Sequence, residues 1–229
     1  MSTFYLMIDD GPSSRAKEKL EYLAEKGITA VWFLIGRNIE QNKQAAIDAI
    51  RRGHVLGNHS YSHPYFPLTS MAAIREEICK TELLIDEVYA SAGVARPAKV
   101  FRFPYGARGG LFKRLRLNRM LEEFGFQGGP FETFEYGLRF RNKPGDRFWM
   151  WSYDVREWAL GVGPIRKLTF EQVSERLEKY LDAYSQEKDQ LILMHDHEYS
   201  HKAFSRLLQQ FLDRGITFAP ARELIPSPH

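Results

Sequence analysis

Short apolar runs and amphipathic stretches alternate along almost the whole chain. Thr3–Ile8 has the length of a buried strand and ends in Asp9-Asp10-Gly11-Pro12. Residues 14–26 have helical spacing, with Leu20, Leu23 and Ala24 on one face, and Gly27 stops the helix. The run AVWFLIG at 30–36 is continuously apolar, as in a parallel strand covered on both faces. A second helical stretch, 41–52, stops at Gly53, and 54–57 reads as a third strand. After Thr69 a long helix carries Ile74, Ile78 and Ile85 near one face and closes at Gly93. Lys99–Phe103 and Phe148–Ser152 read as the next two strands. Thr169 and Gln172 have capping-box spacing and open a helix running to about residue 186. Gln190–Met194 is a strand, 202–214 a helix ending at Gly215, and Ile216–Phe218 a last short strand.

This alternation predicts an α/β fold with parallel strands, closed as a barrel or open as a sheet. No low-complexity linker or internal repeat divides the chain, so residues 1–229 read as one domain. The exception is 107–147, long for one strand connection and read as an insertion. It holds nine basic residues (Arg108, Lys113, Arg114, Arg116, Arg119, Arg139, Arg141, Lys143 and Arg147) against five acids, Glu122, Glu123, Glu132, Glu135 and Asp146. It reads either as a solvated surface excursion or as a wall meeting an anionic or extended substrate.

Composition narrows the class. Hydrophobic residues make up 44% and charged residues 27%, a globular balance rather than a disordered one. No apolar run approaches the ~18 residues a membrane helix needs, so no transmembrane segment is expected. A net charge of +3 without a recognised binding motif gives no reason to expect a nucleic-acid partner. One cysteine, Cys79, excludes an intramolecular disulfide and a multi-cysteine zinc site. The opening MSTFYLMIDDGP has no leader pattern. That places the protein in the cytoplasm if the chain is complete, and outside it if a leader has been trimmed.

In parallel α/β folds functional groups gather at the carboxyl ends of the strands. Asp9-Asp10, His59 with His63, Arg102 with Tyr105, and His195 all follow strand-like runs. Asp9-Asp10 reads as a capping turn, or as one carboxylate for a metal and one for a water proton. His59 and His63 share a face if 59–63 is a helical turn, a spacing that suits a metal pair. Two imidazoles and one carboxylate leave coordination positions open for water and substrate. A rival set is His195-Asp196-His197 with His201, but His197 and His201 sit in a polar stretch that reads as solvent-exposed. Arg102 reads as a strand end, or as a carboxylate partner that lowers the acid's pKa. Trp151–Trp158 is rich in aromatics and acids, giving core tryptophans, or a wall for a sugar ring with an acid that orients a histidine.

Together these clusters resemble the polysaccharide deacetylases of carbohydrate esterase family 4, the NodB-homology domain. The five ordered motifs read Ile8-Asp9-Asp10-Gly11-Pro12, His59-Ser60-Tyr61-Ser62-His63, Arg102-Phe103-Pro104-Tyr105-Gly106, Asp154-Val155-Arg156-Glu157-Trp158 and Leu191-Ile192-Leu193-Met194-His195. Gly53–Asn58 also matches the lead-in to the second motif. The resemblance spans residue 3 to about 218 and implies a distorted (β/α) barrel of about seven strands, related to the TIM barrel. It implies a divalent metal, usually zinc, with cobalt, nickel or manganese as alternatives, on Asp10, His59 and His63. It further implies Asp9 as general base, Arg102 as its partner, and His195 as general acid supported by Glu157. The backbone N–H of Tyr105 is implied as an oxyanion donor, and Trp158 and Leu193 as the pocket for the acyl methyl. The implied substrate is an acylated carbohydrate of the chitooligosaccharide or peptidoglycan type, losing N-acetyl groups. Alternatives are an O-deacetylase, a deformylase of another acylated glycan or amide, or a non-catalytic glycan-binding module.

The chain departs from the family pattern at three motif positions. Ile8 stands where phenylalanine is common, which affects packing alone. Phe103 replaces a frequent proline, which predicts a looser turn under Tyr105. Glu157 replaces an aspartate, so a longer side chain has to reach His195.

Overall fold

The computed structural model describes residues 2–129, 146–160, 168–184 and 186–225. Among these, seven strands and seven α-helices follow one another as β1 (Phe4–Asp9), α1 (Ala16–Glu25), β2 (Ala30–Leu34), α2 (Gly36–Gln41), α3 (Lys43–Arg51), β3 (Val55–Asn58), α4 (Met71–Ala92), β4 (Lys99–Val100), α5 (Leu111–Glu123), β5 (Phe126–Gln127), β6 (Tyr153–Asp154), α6 (Phe170–Ala183), β7 (Gln190–His195) and α7 (His201–Asp213). All strand pairs are parallel, in the order β3-β2-β1-β7-β6 with β4-β5 as a second sheet. An Asn58–Phe101 bridge joins the two sheets. The ring is nearly closed: Trp149 N–H donates to Phe101 O at 2.8 Å, and Ser152 N–H to Leu191 O at 2.8 Å. No continuous ladder completes it among the described residues.

Strict alternation along the central strands sorts two cores. Phe4, Leu6 and Ile8, with Ala30, Trp32 and Leu34, face outward under Leu20, Val88, Leu177 and Phe211 of the surrounding helices. Tyr5, Met7, Val31, Phe33, Val55, Val100, Trp149 and Leu191 fill the interior. Asp9 follows Met7 by two positions, so the strand period aims it at the inner mouth. Gly57 leaves room for this interior, since a Cβ there would lie 2.7 Å from the Phe33 ring and 2.8 Å from Val100.

Several expected elements shift for visible reasons. The helix expected at 41–52 is α3, Lys43–Arg51, and it is separated from the preceding α2 because Asn42 leaves helical geometry and its side chain donates to Pro12 O. The strand expected through Gly36 stops at Leu34, and α2 begins at Gly36, where a Cβ would meet Thr81 and Tyr61 at 2.7 Å. Residues 148–150 are fully buried, but the segment's backbone makes single bonds to two neighbours, so the ladder forms only at Tyr153–Asp154. The strand expected at 216–218 is a single bridge, Phe4–Phe218. Within 107–147, α5 and β5 emerge from sequence that reads as an excursion: Leu117, Met120 and Leu121 form the buried face of α5. Glu132, Glu135, Arg139, Arg141 and Lys143 lie outside the described residues.

Candidate active site

The polar groups that end β1, β3, β4, β6 and β7 converge on one groove of about 1000 Å³. Asp9, Asp10, His59, His63, Tyr105, Trp158, Leu193 and His195 line it. Arg102 and Glu157 stand fully buried behind it.

Asp10, His59 and His63 meet at its floor. Asp10 Oδ1 lies 3.5 Å from His59 Nε2 and 3.2 Å from His63 Nε2, and the two Nε2 atoms are 3.2 Å apart. The 59–63 segment is not the helical turn considered above. Ser60 and His63 have φ of 65° and 59°, and Pro64 disfavours helical continuation. Asn58 Oδ1 accepts from Ser60 N–H, while Glu77 of α4 accepts from the N–H groups of Tyr61 and Ser62 and from the Ser62 hydroxyl. Asp10 has φ 69°, and its carbonyl accepts from Asn38 Nδ2 at 2.7 Å.

This trio fits a divalent cation on the chemistry of its atoms. Asp10 Oδ1 is buried with no hydrogen-bond partner. His59 Nδ1 is 2.9 Å from Arg102 O, and a carbonyl only accepts, so Nδ1 carries the hydrogen and Nε2 presents its lone pair. Burial pushes both His59 and His63 down to about 4, leaving neutral imidazoles at neutral pH. Asp10 is held well below the carboxylate range: burial opposes its charge, but His197, His63, His59 and His195 outweigh it. Two neutral nitrogens and one carboxylate oxygen with open positions form a donor set suited to zinc and related transition metals.

Asp9 lies beside this trio, with Oδ2 3.6 Å from His59 Nε2. Arg102 Nη1 donates to Asp9 Oδ1 at 2.8 Å, and its guanidinium lies 4.2 Å over the Phe33 ring. Arg102 pulls the Asp9 pKa down, in the direction the sequence suggested, but burial outweighs it. Burial pushes Asp9 up to about 6, and Arg102 and His195 offset only part of that rise. His195 is opposite Asp9 in the β1–β7 register. Glu157 does reach it: Oε1 accepts from the His195 backbone N–H and lies 3.5 Å from Nδ1. Glu157 acts on the imidazole through this close approach and through its charge. Burial pulls the His195 pKa down, but Glu157, Asp154 and Asp10 push it up to about 10.

Trp158 is half-buried, donates Nε1–H to Asp154 Oδ2 at 3.2 Å and meets the His195 ring edge-on at 6.3 Å. Tyr105 has φ 59° and a 65% exposed side chain 4.4 Å from the His63 ring. Below it Phe103 is fully buried and packs edge-on against Phe66, Phe101 and Phe148.

Some site residues gave no clear sequence signal. Lys19 and Asp196 form a buried ion pair of 2.5 Å beneath the groove. Asp196 also accepts from the N–H and hydroxyl of Ser13, tying the loops after β1 and β7 together. His197, expected to be solvent-exposed, has a side chain only 22% exposed and places Nε2 3.2 Å from Asp10 Oδ2. His201 instead contacts Glu198 O and does not line the groove.

A sequence model of the polysaccharide deacetylase family matches residues 2–126, more than half of the chain. The chain belongs to the polysaccharide deacetylase family. A peptidoglycan-N-acetylglucosamine deacetylase of Bacillus cereus is 24% identical over 220 residues, which cover 96% of this deacetylase-family chain and 69% of the relative. A family 4 carbohydrate esterase from Streptomyces lividans, solved with acetate, superposes with a TM-score of 0.65 at 22% identity, covering 100% of this chain and 98% of the other. A family 4 pseudoenzyme from Bacillus anthracis superposes with a TM-score of 0.66 at 19% identity, covering 98% of this chain and 66% of the other. The shared architecture is the family's distorted barrel. Because a pseudoenzyme shares it, the fold alone does not decide activity. Among the described residues no helix is long and apolar enough to cross a membrane.

Proposed function

We propose that the protein is a metal-dependent hydrolase that removes acetyl groups from N-acetylated sugars of the chitooligosaccharide or peptidoglycan type. The observation that carries this reading is the unpartnered Asp10 Oδ1 facing two Nε2 atoms, flanked by Asp9 and His195. The similarity to a peptidoglycan-N-acetylglucosamine deacetylase supports the substrate class.

Asp10, His59 and His63 would hold the cation, for which zinc suits the donor set best, with cobalt, nickel and manganese as substitutes. When bound, such an ion supplies Lewis acidity, lowering the pKa of a water and polarising a carbonyl. Asp9 is the general base: with a pKa of about 6 it is ionised at neutral pH yet basic enough to take the water proton. Arg102 fixes its carboxylate through the 2.8 Å contact. His195 is the general acid, protonated at neutral pH and able to pass a proton to the departing sugar nitrogen, which leaves poorly as an anion. Glu157 keeps that proton on the ring, and Tyr105 N–H is the chain's own donor to the developing oxyanion. Trp158 and Leu193 line the groove as the apolar wall that would receive the acyl methyl. Water adds to the carbonyl carbon, the C–N bond breaks, and acetate and a free amino sugar leave.

The test is acetate release from short N-acetylglucosamine oligomers, with metal content measured on the same sample. Wild type is expected to release acetate with about one ion per chain, and His63→Ala to lose both. Glycan binding without acetate release from metal-loaded protein would contradict the reading.

A further inference from the structure

The second histidine of His195-Asp196-His197 is not used by the chemistry above, yet it touches the floor of the groove. Its Nε2 lies 3.2 Å from Asp10 Oδ2, the oxygen turned away from His59 and His63. Asp10 Oδ1 is the atom that faces those two imidazoles. The two oxygens of one carboxylate are thus divided, one toward the candidate ligand set and one toward His197.

His197 is itself held on three sides. Its ring stacks on that of His195 at 5.8 Å and 4°, and on that of Tyr199 at 5.1 Å and 11°. Its carbonyl accepts from buried Lys19 Nζ at 2.9 Å. Lys19 also binds Asp196 Oδ1 at 2.5 Å, and Asp196 grips Ser13 beside Asp10. The anchoring runs from α1 through the loop after β7 to the carboxylate after β1.

We infer that His197 is a positioning residue that fixes Asp10 through Oδ2, so that Oδ1 is presented to a cation held with His59 and His63. This rests on the three-residue set proposed above. A carboxylate free to rotate would split its population between orientations and weaken capture. Removing such an outer contact typically costs about 10–100-fold in metal affinity. His197 is not a fourth ligand in this account, because its nitrogen is committed to the oxygen on the far side of Asp10.

The experiment is zinc affinity by chelator competition on wild type, His197→Phe and His197→Gln, with metal-free thermal melting to confirm folding. Phenylalanine keeps a ring in the stack but has no N–H. Glutamine loses the ring but keeps a donor that reaches Oδ2. Wild type should bind one zinc, His197→Phe should bind about 10–100-fold more weakly, and His197→Gln should recover most of the loss. The absorption spectrum of the cobalt-substituted protein should be alike in wild type and His197→Gln, because the ligands are unchanged. Equal zinc affinity in wild type and His197→Phe would overturn the inference while leaving the three-residue set intact. A glutamine form as weak as the phenylalanine form, with an altered cobalt spectrum, would overturn it in favour of direct ligation. Wild type that binds no zinc would overturn the three-residue set and this inference together. Should His197→Phe not fold, His197→Ala against His197→Gln makes the same comparison.

Discussion

Asp9 and His195 are register partners across the β1–β7 ladder, so adjacent parallel strands set a carboxylate and an imidazole side by side. Their environments move their pKa values apart, Asp9 to about 6 and His195 to about 10. A base has to be ionised and an acid protonated, so activity is expected on a plateau between these limits. Acetate release should fall as pH drops through about 6 or below, since a bound cation near Asp9 can only lower that limb, and again as pH rises through about 10. A pH profile of kcat/KM checks both limbs. A profile rising without limit above pH 10 would remove His195 from the acid role.

Glu157 supplies much of the charge that keeps His195 protonated. Glu157→Gln keeps the size and removes the charge. The alkaline limb should then move down by about one unit or more, with the acid limb unchanged. An unmoved alkaline limb would mean that Asp154 and Asp10 suffice.

His54 is buried away from the groove, where its Nδ1 accepts from Ala30 N–H at 2.9 Å. Burial pushes its pKa down to about 4 from an ordinary value near 6.5. A depressed histidine contributes its stability fully above the unfolded pKa, and that contribution is lost as pH falls toward the folded value. The stability of wild type relative to His54→Gln should therefore drop by up to about 3 kcal/mol between pH 7.5 and pH 4. Urea unfolding at the two pH values measures it, and a pH-independent difference would contradict it.

Lys19 and Asp196 are a buried ion pair with almost no exposed surface on either side chain. Lys19→Met leaves Asp196 charged and desolvated, with Ser13 as its remaining side-chain partner among the described residues. The expected loss is about 3–5 kcal/mol in urea unfolding, far more than an exposed helical lysine would cost.

The residues legible from sequence are those whose position follows from strand period and strand end. Asp9, Asp10, His59, Arg102 and His195 each follow an apolar run, and parallel strands bring such ends together. What was hidden depends on tertiary contacts that leave no local mark. Lys19 occupies an ordinary position in an amphipathic helix, and only the loop after β7 reveals its partner. Glu77 lies in α4 yet organises the turn between His59 and His63, so the helical reading of that spacing missed the real geometry. β5 is two residues long and carries too little pattern to register. His197 read as exposed because its neighbours are polar, whereas those polar groups hold it inward.

In the proposed reaction Asp9 takes the proton from water, while other residues hold the cation. The most direct measurement is acetate release by zinc-loaded Asp9→Asn beside wild type, with zinc content determined in both. The variant should keep its zinc and lose about 10²–10⁴-fold in kcat. An Asp9→Asn protein that carries zinc and turns over like wild type would contradict that role of Asp9.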